Sequence, residues 1–202
     1  MMDWNARSAW IYENTAPDLA KAAANKITLI YIDPRSYNAA TVIAMCRVTG
    51  IDAGIYAVPN WRPEMTGPEF ADWVNGLLQD LLPKTAANVE AAPFMADLEG
   101  VTTAWMRAFI RRYRQHQPSR PTSITVAPFQ GGLIPTDAIQ KAGMHLYPQL
   151  YYGPMTPADP SAVLLEMARQ GMPANMLHPF YDGAAIPSDA RDGAIFTLER
   201  IS

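Results

Sequence analysis

Apolar residues in this chain fall into short runs bounded by turn residues, and the runs alternate between two periods. Eight runs have strand length: Ala9–Tyr12, Ile27–Ile32, Ala53–Val58, Pro93–Leu98, Thr122–Ala127, His145–Tyr152, Asn175–Phe180 and Ala194–Glu199. Between them, amphipathic segments predict helices over 16–25, 38–50, 67–82, 101–116, 135–143 and 159–171. Pro17-Asp18, Pro68-Glu69, Thr136-Asp137 and Asp159-Pro160 provide start signals, and Gly50, Gly143 and Gly171 suit left-handed stops.

Strand then helix, repeated with short connections, makes neighbouring strands parallel and their crossovers right-handed. The expected fold is α/β: one single-domain (β/α)8 TIM-like barrel over residues 1–202, its final helices reduced to loops. The ring is expected to close around Leu29, Tyr31, Ile55, Met95 and Ile124. An open doubly wound sheet is compatible with the same alternation. The count of eight strands favours the ring, as does the lack of a glycine-rich phosphate loop after either of the first two strands.

Composition narrows the function classes. With 49% hydrophobic and 17% charged residues, 202 residues can bury a sizeable core. A net charge of −3 gives no basic surface for nucleic acid or anionic lipid, so neither a nucleic acid nor a membrane is an expected partner. The local cluster RRYRQHQPSR reads as a helix end, where Arg111, Arg112 and Arg114 complement the dipole. Cys46 is the single cysteine, so no internal disulfide or cysteine-based zinc site can form. The N-terminal stretch lacks signal-peptide character, and no stretch reads as a membrane span. Synthesis in the cytoplasm is expected, followed by release on lysis or by assembly into a particle.

In a barrel, the carboxyl ends of all strands meet on one face. That face would collect Glu13, Asp33, Tyr56, Trp61, Asp97, Glu99, Gln149, Tyr151 and Asp182. Rings that stack on sugars and amides or carboxylates that bond to hydroxyls suit a carbohydrate. Asp97 and Glu99 stand two apart at the end of APFMADLEG, so they share one face of a strand, where like charges repel unless something uses them. They are the candidate catalytic pair; the others are candidate substrate contacts. Asp33, Glu13 and Asp182 also read as simple decorations of strand ends, and His178 as a core histidine. Three histidines, at 116, 145 and 178, lack metal-ligand spacing, and no serine elbow or P-loop is present. No metal or other cofactor is expected.

These stretches resemble the glycoside hydrolase superfamily of small barrels that includes the family-25 muramidases of phages and bacteria. APFMADLEG is similar to their strand ending in Asp-x-Glu, GIDAGIYAVPNW to the Gly-x-Tyr strand that leads into the cleft loop, and LYPQLYY to a later strand with a glutamine and a tyrosine. The resemblance implies Glu99 as general acid with Asp97 beside it, acting on a bacterial cell-wall or related polysaccharide. Where the family has Gly-x-Asp on the first strand, SAWIYENT offers Glu13. Asp-x-Glu also ends the chitinase-type signature, whose earlier aspartates are replaced here by Ala92 and Met95. Two readings follow. One is a muramidase-like glycosidase. The other is a non-catalytic, tail-associated barrel of a phage virion, used for structure or for attachment to a glycan or receptor, with other virion proteins as partners.

Overall fold

A computed structural model of the chain describes residues 7–11, 18–36, 38–81, 92–127, 133–150, 160–182 and 194–196. Strands and helices alternate through it: β1 (Arg7–Trp10), α1 (Leu19–Ala24), β2 (Ile27–Ile32), α2 (Ala39–Thr49), β3 (Asp52–Ala57), α3 (Gly67–Leu81), β4 (Phe94–Asp97) and α4 (Thr103–His116). Then come β5 (Thr122–Val126), α5 (Thr136–Lys141), β6 (His145–Leu150), α6 (Pro160–Arg169), β7 (Phe180–Asp182) and β8 (Ala194–Phe196). Every strand pair is parallel and follows sequence order, and β8 returns to β1, closing the sheet on itself. Six strand–helix units are described; the places of the two expected reduced helices, 183–193 and beyond 196, lie outside the described residues.

Local chemistry sets the helix ends. The Asp18 carboxylate accepts from the Lys21 N–H at 2.9 Å, and Thr102 Oγ1 from the Trp105 N–H at 3.2 Å. At α3 the Glu69 carboxylate accepts from both the N–H and the hydroxyl of Thr66, each at 2.8 Å. Gly50, Gly143 and Gly171 take φ of 74°, 61° and 95°, the left-handed stops that the sequence implies. One expected strand is displaced: 174–176 forms a 3-10 turn after Pro173, and β7 begins only at Phe180. Pro179 carries no N–H for a ladder, so regular pairing starts beyond it.

Alternation sorts the strand residues into two buried layers. Ala9, Ile11, Ile30, Ile32, Ile55, Ala57, Phe94, Ala96, Ile124, Val126 and Leu146 face outward under the helices. Trp10, Leu29, Tyr31, Tyr56, Met95, Tyr147 and Phe180 fill the ring. Of the expected ring fillers, Leu29, Tyr31 and Met95 stand inside, whereas Ile55 and Ile124 belong to the outer layer. On β3 the inward places go to Gly54 and Tyr56, and Gly54 makes room for Tyr31: a Cβ there would lie 2.7 Å from Tyr31 Cδ1. The Trp10 indole N–H donates to Met95 Sδ at 3.1 Å across the interior.

Helices α3 and α4 pack closely against each other. Gly67 lets their backbones approach, since a Cβ would stand 2.5 Å from the Trp105 carbonyl oxygen. The basic cluster at the end of α4 serves this region. Arg112 grips Asp72 at 2.6 and 3.2 Å, and Arg114 donates to the carbonyls of Ala142, Gln117 and Arg120. No described helix is long and apolar enough to cross a membrane.

Candidate functional site

The carboxyl end of β4 is the chemical centre of the mouth. Asp97 shares its inward face with Met95, while Phe94 and Ala96 pack outward. The expectation that Asp97 and Glu99 ride on one pleat is corrected: β4 ends at Asp97, the Leu98 N–H still donates to the Thr125 carbonyl at 2.9 Å, and Glu99 falls in a turn where Gly100 takes φ 71°. That left-handed turn redirects the chain toward the Thr102 cap of α4. Asp97 is therefore buried, at 8% exposure, and Glu99 half-buried. Gln149 on β6 donates to Asp97 Oδ1 at 3.1 Å. Burial and then the charge of Glu99 push the Asp97 carboxyl well above its usual range, against the opposing pull of the Gln149 bond.

A second cluster lies at the ends of β2 and β3. Asp33, 5% exposed, forms an Asx turn in which its Oδ1 accepts from the Arg35 N–H at 2.8 Å. The Arg35 guanidinium then folds back onto both carboxylate oxygens, at 3.0 and 2.7 Å. It also lies over the Trp61 ring, whose centroid is 3.5 Å from Arg35 Cζ. Trp61 sits in the 3-10 turn Pro59–Trp61 after β3 and is half-buried. Its neighbour Tyr56, 2% exposed, stacks on Trp10 at 4.3 Å.

The structure thus brings Asp97, Glu99 and Gln149 together, and Asp33 and Trp61 around Arg35. Glu13 and Tyr151 lie outside the described residues; Asp182 is on β7, and its side chain is not described. His178 is the core histidine that the sequence suggests, but at the opposite end: its Nε2 meets Nδ1 of His145, the first residue of β6, at 2.8 Å, and its ring stacks on Tyr147. Desolvation, then His178, lowers the His145 pKa to about 4. Among the described residues, no group of three or more His, Cys, Asp or Glu is placed to hold a metal ion.

Sequence reasoning missed Arg35, Trp10 and Thr125. Arg35 had a readable signal in Asp33-Pro34-Arg35, since aspartate two residues before a free N–H builds an Asx turn. Thr125 had none, because its position beside Asp97 arises only from the register of β4 and β5.

No protein-family model and no curated protein sequence matches the chain. Solved structures do. A GH18 chitinase from Pseudoalteromonas aurantia superposes with a TM-score of 0.60 at 13% identity, covering 95% of this chain and 92% of the chitinase. KGPDC from Streptococcus mutans superposes with a TM-score of 0.51 at 8% identity, over 96% of this chain and 88% of the other. At these identities the likeness establishes the fold: this chain has the α/β-barrel architecture seen in a glycoside hydrolase and in other TIM-barrel proteins.

Proposed function

We propose that the chain is a glycoside hydrolase-like (β/α)8 barrel, its final helices reduced, that cleaves a bacterial cell-wall or related polysaccharide in the manner of the muramidases it resembles. The observation that carries this reading is the buried Asp97 carboxyl beside half-buried Glu99, held at the mouth of the barrel by Gln149. Burial and the charge of Glu99 keep a proton on Asp97 at a pH where an exposed carboxyl would have lost it, and a general acid beside it draws on that proton. Glu99, beyond the strand end and partly open, is the member that reaches the glycosidic oxygen. Asp97 beneath it holds and returns the charge.

Asp33 supports the cleft indirectly. Both of its oxygens accept from Arg35, so it fixes the guanidinium rather than a sugar hydroxyl, and Arg35 with Trp61 forms the wall toward β3. One observation favours the non-catalytic virion reading. The Trp61 face that would stack on a sugar carries Arg35, and Tyr56 is withdrawn into the interior.

Release of soluble sugar from purified bacterial cell walls, by the wild type and by Glu99→Gln, separates the two. The enzymatic reading expects release that falls by about 10²-fold or more in the variant. No release by either protein, with equal retention of both on the walls, transfers the chain to the attachment reading.

A further inference from the structure

We propose that Thr125 is the positioning residue of the carboxylate pair, its hydroxyl donating to Asp97 whenever Asp97 carries the negative charge. Thr125 is fully buried, at 0% exposure, and its Oγ1 has no hydrogen-bond partner among the described residues. Ile124 and Val126 on either side pack outward, so Thr125 points into the ring. It is register-paired with Asp97 on one side and with Tyr147 on the other. Across that same step the Asp97 carboxyl receives a single side-chain bond among the described residues, from Gln149 to Oδ1.

Barrel interiors are ordinarily filled by branched aliphatic residues. Valine would occupy the same volume as Thr125 without a buried hydroxyl to satisfy, so the hydroxyl calls for a use. A rotating O–H supplies one. While Asp97 is protonated the hydroxyl is idle; once the proton passes to Glu99, Asp97 becomes an acceptor and the hydroxyl turns to it. Among the described residues, the charged neighbour acting on Asp97 is Glu99. The strands around it contribute the titratable side chains Tyr31 from β2, Tyr56 from β3 and, from β6, Tyr147 and, at the strand's far end, His145. Gln149 and Ser123 are uncharged.

This inference deepens the proposed function and rests on it only for its catalytic consequence; the charge on Asp97 can be followed without any substrate. Side-chain carboxyl titration by ¹³C NMR on the free protein, with the Asp97 signal assigned by its loss in Asp97→Asn, is the experiment. Thr125→Val is expected to move the Asp97 midpoint to higher pH by about 1 unit relative to wild type, because a donor to the charged form is removed. Thr125→Ser should restore it. Thr125→Ala serves in place of the valine variant if that protein does not fold. An unchanged or lowered midpoint in the variant lacking a hydroxyl, or a serine variant that stays shifted, overturns the assignment. If the midpoint moves as expected while the wild type releases no sugar from cell walls, the enzymatic reading falls and the role of Thr125 stands. Sugar release with an immobile midpoint leaves the enzymatic reading in place and overturns the role of Thr125.

Discussion

Asp97 and His145 make opposite demands on pH. The Asp97 carboxyl titrates above its unfolded value, so the folded state binds more protons than the unfolded chain between that value and its raised midpoint. Stability from this group is full at acid pH and is lost as pH rises through that window. His145, lowered from 6.5 to about 4, does the converse: its contribution is present above pH 6.5 and is lost as pH falls through 4. In Asp97→Asn, urea midpoints should therefore rise monotonically from pH 4 to 7, the His145 slope being left alone. In His145→Gln they should decline with pH wherever Asp97 is losing its proton. An Asp97→Asn protein that keeps a falling limb would show that another buried acid is responsible. Both candidate carboxylates are legible in the sequence, since Asp-x-Glu after an apolar run is a local pattern. It did not reveal which one is buried, because that depends on β4 ending at Asp97 and on Gln149 arriving from a strand 52 positions away.

Two glycines of α3 separate local propensity from packing. Gly76 has nothing within 4 Å of a would-be Cβ, so Gly76→Ala should stabilise by about 0.5–1 kcal/mol through helix propensity alone. Gly67, in the same helix, faces backbone: the Trp105 carbonyl oxygen at 2.5 Å and the Phe109 nitrogen at 2.8 Å. Backbone of a packed helix cannot step aside cheaply, and Gly67→Ala should cost about 1–3 kcal/mol. Thermal unfolding of the two variants, moving in opposite directions, checks the seam; a shared sign would mean that α3 and α4 are not held this closely. At this scale the helices were legible from caps and periodicity, and β2 was read to the residue. The seventh strand was misplaced because NMLHPF is apolar enough to pass as a strand, while a 3-10 turn and two prolines defer pairing to Phe180.

For the whole molecule, the alternation of eight strands with helices led to parallel order without any tertiary information. The division of each strand into inward and outward residues was half legible: period-two alternation is visible, but which parity faces the ring is set by neighbours. The ring itself holds aromatic residues that touch in series. From Phe180 the contacts run through Trp10, Tyr56 and Trp61 to Trp73 at centroid spacings of 5.2, 4.3, 5.4 and 6.3 Å. They continue over Phe70 and Trp105 along α4 to Phe109, Tyr113 and finally Phe94. In optical terms this is one antenna. Light taken up by a tyrosine on the outer helices can migrate to Trp61 at the mouth, where the Arg35 guanidinium lies on the indole. If a glycan fragment occupies the mouth as proposed and lifts Arg35 away, the tryptophan emission of the intact protein should change, and Trp61→Phe should silence that change, so occupancy can be read without a label.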